Sequence, residues 1–209
     1  MKQFAGIIFD MDGLLIDSQR IALATLQQAC DLLSLGDQTA LLLQCIGTNK
    51  RRGEQVLAAG LADDVHTQNN AISIKAGAVS LLATIRSRGI PMAVATSTET
   101  KRALQKQRCA DIEHYFDHVV GGNQVHRSKP EAGIYLRAAE SLAISPASAM
   151  ALENSENGVL AALAAGMTVV QLPDLVQPSA AFRAKGQHVI RSLSDVASYD
   201  FEYPQEQQL

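Results

Sequence analysis

The sequence predicts an α/β fold, a doubly wound parallel sheet interrupted by a small, shortened helical insert. Three observations carry this. Short apolar runs recur along the chain and end in polar or acidic residues, helical patterns rich in alanine and leucine separate them, and one long stretch after the first run has no strand pattern. Strands alternating with helices indicate βαβ units, and the strands of a parallel sheet, buried on both faces, read as continuous apolar runs.

Taken in order, the first run spans Ala5 to Asp10 and is stopped by acidic residues and Gly13. Two helical segments follow, Arg20 to Ser34 and Arg51 to Ala59, each trailed by a glycine able to close a helix, Gly36 and Gly60. The polar, aperiodic "DDVHTQNNAIS" from Asp63 reads as a return linker. Residues 18–75 are therefore expected to form a helical cap, and residues 1–17 and 76–209 the core. The core continues with a helix at Ala78 to Arg88, the strand "PMAVAT" from Pro91 and a helix at Lys101 to Gln107. Next come "HVVGG" from His118, a helix at Ala132 to Leu142, and "SAMALEN" from Ser148. A helix at Asn157 to Ala165, ended by Gly166, leads to "TVVQLP" from Thr168, and the terminal "YPQEQQL" reads as frayed.

Composition narrows the function classes. A formal net charge of −3 over 209 residues gives no electrostatic footprint for nucleic acid. Cys30, Cys45 and Cys109 are odd in number and match no metal or redox spacing, which suits small buried hydrophobes in a reducing compartment. The apolar N-terminal stretch is interrupted by Asp10 and Asp12 before a signal-like core forms, and no run approaches the roughly 20 apolar residues of a membrane helix. A cytoplasmic protein without nucleic-acid or membrane partners is expected, and its oligomeric state is left open.

In an open α/β sheet, ligands bind at the carboxyl ends of the strands, so the residues ending each run belong together. The first run ends in Asp10 and Asp12, the second in Thr96, Ser97 and Thr98, and the fourth in Glu153 and Asn154, while Lys129 follows the third. Clustered carboxylates repel one another and isolated buried charge is costly, so such a cluster calls for a cation among its members. Oxygen ligands select a hard ion such as Mg²⁺. Hydroxyls, backbone amides and the Lys129 ammonium supply what a phosphate dianion needs. A Ca²⁺-binding helix–loop–helix is excluded, because Ile21 stands where its bidentate glutamate would be.

These residues match a family pattern in order and spacing. The chain resembles the haloacid dehalogenase superfamily, in particular its β-phosphoglucomutase-like phosphatase branch, through "DMDGLLIDS", "AVATST", "RSKPEAGIYL" and "ALENSENGVLAALAAGM". The resemblance implies a Rossmann-like core, an Mg²⁺ cofactor and a small phosphorylated metabolite, such as a sugar phosphate, as substrate. It implies that Asp10 is the nucleophile of an aspartyl-phosphate route and that Asp12 is the general acid and then base. Two such roles require different environments, Asp10 held ionised and Asp12 free to exchange a proton. It further implies a metal set of Asp10, the Asp12 carbonyl, Glu153 and Asn154, with Thr96, Ser97 and Lys129 binding the phosphoryl group. In the cap, Lys50 and Arg51 would contact substrate, the equal alternative being a solvated helix start that also includes Arg52. Asp17 and Ser18 read as a helix start, with Ser18 as the cap.

The pattern departs from the family at three places. Glu153 is followed by Asn154 where the family has aspartate, so a metal ligand brings no charge, and Glu156 is a candidate to compensate. Ala132 and Gly133 stand where the family has proline and aspartate, and the cap is short by about one helix. Two alternatives stand beside the phosphatase: a β-phosphoglucomutase-type phosphotransferase, against which the short cap argues, and a low-activity or non-catalytic binding protein on the same scaffold, motivated by Asn154 and Gly133. A signalling receiver domain, which shares the acid, hydroxyl and lysine pattern, would need its phosphoacceptor on a middle strand. Here the third run ends in Gly121 and Gly122.

Overall fold

The computed structural model describes residues 4–32, 35–43 and 73–198. Six strands form one parallel sheet: β1 (Gly6–Phe9), β2 (Met92–Thr96), β3 (His118–Gly121), β4 (Ala149–Glu153), β5 (Thr168–Gln171) and β6 (His188–Val189), in the order β3-β2-β1-β4-β5-β6. Chain connectivity reverses across β1, and a crevice opens there beyond the carboxyl ends of β1 and β4. The register pairs Phe9 with Val94 on one side and with Leu152 on the other. The next residues along β1, β2 and β4, namely Asp10, Ala95 with Thr96, and Glu153, thus emerge at one rim.

The helices are α1 (Ser18–Leu32), α2 (Thr39–Leu43), α3 (Ala78–Ser87), α4 (Thr100–Cys109), α5 (Gly133–Ser141), α6 (Glu156–Ala164) and α7 (Ala180–Arg183). They cover the two faces of the sheet with different chemistry. Ile7, Phe9, Met92, Val94, Met150 and Leu152 form one layer with Leu81, Leu82 and Ile85 of α3. The opposite face presents Ile8, Ala93, Ala95, Ala149 and Ala151 to α5 and α6, which answer with Ala138, Ala139, Ala161 and Ala162. Alternate strand positions point to opposite faces, so large side chains fill one layer while alanine on alanine lets helices approach the other closely.

The five predicted strands are all present. The sequence pattern missed β6, two residues long, and the short helices α2 and α7, because elements of that size contain little more than one period and so show no repeat. Helix α1 starts at Ser18, ahead of the expected Arg20. Gly166, with φ 81°, follows α6 as expected of a helix-ending glycine. The chain leaves the core after Asp17 and returns beside its own exit: Ile16 bridges Ile74, the Asp17 amide donates to the Ser73 carbonyl at 2.8 Å, and that of Lys75 to Leu15 at 2.9 Å. The predicted helix from Arg51 to Ala59, the linker from Asp63 and the C-terminal "YPQEQQL" lie outside the described residues. Among the described residues no helix is long and apolar enough to cross a membrane.

Candidate active site

β1 delivers Asp10 to the floor of a cleft of about 290 Å³, where its amide donates to the Leu152 carbonyl of β4 at 2.9 Å. β4 delivers Glu153, which has no solvent exposure. Lys129, from the loop after β3, lies between them, its Nζ 2.5 Å from Asp10 Oδ1 and 2.5 Å from Glu153 Oε1. The remaining capacity of Glu153 is filled by protein donors. Tyr135 Oη reaches Oε1 at 2.7 Å, while Oε2 accepts from the Asn154 amide at 3.0 Å and from the Ser155 amide and hydroxyl at 3.1 Å each. Glu153, expected on the cation, therefore meets the cleft through Lys129 rather than through a free oxygen. Gly158, in the first turn of α6, makes room for this arrangement, since a Cβ there would overlap the Glu153 carboxylate.

Asp12 is held from three directions. Its Oδ1 accepts from the Ser18 hydroxyl and from Lys106 Nζ, the latter at 2.5 Å, and its Oδ2 from Thr98 Oγ1 at 2.7 Å. Ser18, expected to cap the first helix, instead spends its hydroxyl on this carboxylate, because α1 begins at Ser18 itself and its side chain faces back to the strand end. The Asp12 carbonyl accepts from Gln19 Nε2 at 2.8 Å and from Asn154 Nδ2 at 3.4 Å. At the end of β2, Thr96 Oγ1 accepts from the Thr98 amide at 3.2 Å, which leaves its own proton to donate into the cleft. Ser97 Oγ lies 3.2 Å from Ser128 Oγ, tying the β2 loop to the loop that carries Lys129.

The electrostatics follow from burial and these contacts. Burial pushes the Asp10 carboxyl up to about 7; Lys129 opposes the rise, and the charges of Glu153 and Asp12 add to it. Burial would also raise Asp12, but the Lys106 charge and the hydrogen bonds from Lys106, Ser18 and Thr98 outweigh it and hold that carboxyl below its ordinary value. For Lys129 burial favours the neutral amine, and the two carboxylates overcome it, so its pKa is raised. Tyr135 is pushed well above an ordinary phenol by burial and by the charges of Glu153 and Asp10. The two aspartates thus occupy unlike environments, as the two expected roles require. The protein's own groups hold the Asp12 carboxyl more acidic than that of Asp10, so Asp10 is the one whose ionisation needs further positive charge.

The structure brings Asp10, Asp12, Thr96, Ser97, Lys129, Glu153 and Asn154 to one rim of the sheet, all but Glu153 and Asn154 lining the cleft itself. Lys50 and Arg51, with Arg52, lie outside the described residues. Glu156, considered above as a substitute charge, is exposed at the start of α6 and does not line the cleft. Sequence reasoning missed Gln19, Lys106 and Tyr135. A signal existed for two of them: Arg102 and Lys106 are i, i+4 neighbours on the helix after the second strand and both line the cleft. A tyrosine within the apolar α5 pattern needs a partner for its hydroxyl. Gln19 carries no such mark.

Among the described residues no group of three His, Cys, Asp or Glu side chains is placed to hold a metal. A different, all-oxygen set is present: an Asp10 carboxylate oxygen, the Asp12 carbonyl and Asn154 Oδ1. Asn154 is 4% exposed and its Oδ1 is buried without a hydrogen-bond partner. A buried oxygen without a partner, on a carboxamide whose nitrogen lies 3.4 Å from the Asp12 carbonyl, suits a hard cation once the amide turns over.

The profile of the haloacid dehalogenase-like hydrolase family matches residues 7–172. A phosphorylated carbohydrates phosphatase of Thermotoga maritima is 29% identical over 213 residues, covering 91% of this chain and 99% of the relative. A fructose-1-phosphate phosphatase of Escherichia coli is 26% identical, covering 82% of this chain and 97% of its own. Among solved structures, a hydrolase of the same family from Deinococcus radiodurans with bound phosphate and sodium superposes with a TM-score of 0.75 at 26% identity, covering 94% of each chain.

Proposed function

Since the chain belongs to the haloacid dehalogenase-like hydrolase family, we propose that it is an Mg²⁺-dependent phosphatase that hydrolyses a small phosphorylated metabolite, a sugar phosphate, through an aspartyl-phosphate on Asp10. One observation carries the reading above the others: Asp10 and Glu153, from different strands, converge on the buried Lys129 Nζ at 2.5 Å each, beside Asp12 in one cleft.

Each residue has a task its contacts suit. Asp10 attacks phosphorus and carries the phosphoryl group until water releases it. Lys129 has three ammonium protons and spends two on carboxylates, so one remains for a phosphoryl oxygen, where the Thr96 hydroxyl and the Ser97 amide add donors. Asp12 protonates the departing alkoxide and then takes a proton from water, which requires it first to be protonated, and so to loosen its bonds to Lys106, Ser18 and Thr98. A cation held by Asp10, the Asp12 carbonyl and Asn154, next to Glu153, would supply positive charge that keeps Asp10 ionised against its burial. Residues 18–75 are the proposed cap between core segments 1–17 and 76–209, a division supported by the adjacent exit and return at Ile16 and Ile74. Lys50 and Arg51 are its proposed substrate contacts. The sugar-phosphate class rests on what the relatives are named for.

Hydrolysis of p-nitrophenyl phosphate with Mg²⁺ tests the reading. Asp10→Asn is expected to lose at least about a thousandfold in rate, while Arg137→Ala, on the exposed face of α5, keeps full activity. A wild-type chain that binds phosphate but shows no turnover on any phosphometabolite would turn the assignment to a binding protein.

A further inference from the structure

Gln19 and Asn154 form a pair of carboxamides around the Asp12 carbonyl oxygen, one of the atoms of the proposed cation set. Both aim nitrogen at it, Gln19 Nε2 at 2.8 Å and Asn154 Nδ2 at 3.4 Å, and they also touch each other, Asn154 Nδ2 to Gln19 Oε1 at 3.3 Å. Asn154 Oδ1 is buried and unpaired. The pair sits in space left by Gly13, whose φ is 90° and where a Cβ would overlap both the Asn154 amide nitrogen and the Gln19 carboxamide. The N–H groups of the two amides stand where a positive charge would be welcome. Rotation about the last side-chain bond exchanges nitrogen for oxygen at little steric cost, because the two ends of a carboxamide are nearly the same size.

We propose that Gln19 and Asn154 together make a neutral carboxamide seat, so that the cation binds firmly only in company with a phosphoryl dianion. The inference rests on the phosphatase reading and adds to it a second residue, Gln19, and a binding order. Its warrant is charge. Asp10 and Glu153 share the Lys129 ammonium, Asp12 is balanced by Lys106, and Asn154 contributes nothing. The cluster is therefore short of negative charge for a divalent ion alone, and the loaded site would keep a net positive charge among buried groups. Entry of a phosphate dianion removes that excess, so each ligand raises the affinity of the other by the same factor. With aspartate at 154 the ion alone would be neutralised and the dependence on phosphate would shrink.

The test is a binding measurement on the full chain: Mg²⁺ titrated by calorimetry, or Mn²⁺ by electron paramagnetic resonance, with and without saturating inorganic phosphate. Phosphate is expected to tighten cation binding about tenfold or more, with the same factor for phosphate when the cation is present. Asn154→Asp should bind the cation without phosphate and lose most of the coupling. Gln19→Ala should weaken cation binding severalfold at an unchanged melting temperature. Cation affinity that is independent of phosphate, or coupling that survives intact in Asn154→Asp, overturns the proposal. Either result leaves the phosphatase reading standing if wild-type hydrolysis is Mg²⁺-dependent and lost in Asp10→Asn. Conversely, strong coupling with no hydrolysis would sink that reading and spare this one.

Discussion

Among the described residues, Lys129 and Lys75 each hold two carboxylates, and they do so for different ends. Lys129 reaches Asp10 and Glu153 at 2.5 Å each with 2% of its side chain exposed. Lys75, where the chain re-enters the core, reaches Asp174 at 2.6 Å and Asp17 at 3.5 Å with 19% exposed, and Arg20 joins the same cluster at 2.8 Å from Asp174. Around Lys75 two cations, Lys75 and Arg20, meet two carboxylates, Asp17 and Asp174, and water reaches the group. Around Lys129 the anions are in excess, water is excluded, and Asp10 is driven up to about 7. The first arrangement ties two chain crossings to the loop after β5. The second holds an excess of negative charge that a cation would relieve, as preorganised polar sites do.

If that contrast is right, removing the ammonium should hurt far more at one place than at the other. Lys129→Met leaves two buried carboxylates uncompensated and should cost about 3–5 kcal/mol at pH 7.5, read by guanidinium denaturation with EDTA present so that no cation replaces the ammonium. The loss should diminish as pH falls toward 5. A carboxyl with a folded pKa above its unfolded value destabilises the fold above that value and stops doing so once protonated. A pH-independent loss would mean that packing, not charge, had been removed. Asp174→Ala, on the other side of the comparison, leaves Lys75 and Arg20 with access to water and should cost about 1–2 kcal/mol. Hydrolysis per folded molecule should be retained. A loss as large as that of Lys129→Met would erase the distinction between the two clusters.

Most of the Lys129 cluster was legible in the sequence, and almost none of the Lys75 cluster was. Asp10, Thr96 and Glu153 each end an apolar run, so the rule that strand ends meet at one rim places them together without any knowledge of contacts. Lys129 follows the same logic one loop later. Asp174, Lys75 and Arg20 are single charges on loops and a helix face, separated by up to 154 positions, and no periodicity connects them. The same limit explains Gln19 and Tyr135, whose partners are set by packing across elements. It also explains the misreading of Ser18: the spacing correctly marked a helix start, but the preference for hydroxyls there is satisfied equally by a carboxylate across the crevice. The order of protons on Asp10 and Asp12 was not legible at all, since it depends on Lys106, a residue from a helix that the strand-end argument does not reach.

A third pair extends the series to the surface and gives the smallest expected effect. Arg86 of α3 lies 2.9 Å from Asp117 with half of its side chain exposed, and Asp117 also accepts from the Met92 amide at the start of β2 at 2.9 Å. Partial burial would raise Asp117, and the Met92 and Arg86 contacts outweigh it, so its pKa is lowered from 3.8. A depressed folded pKa gives stability that is present above the unfolded value and is lost as pH falls through the folded one. Arg86→Ala should therefore cost no more than about 1 kcal/mol at pH 7. The cost should shrink at high salt, where exposed pairs are screened, and vanish once Asp117 is protonated in acid. Asp117→Ala should cost more than Arg86→Ala, because it also strands a backbone donor at the first residue of a central strand. Equal costs for the two variants would show that the Met92 hydrogen bond contributes nothing and that the ordering by burial stops short of the surface.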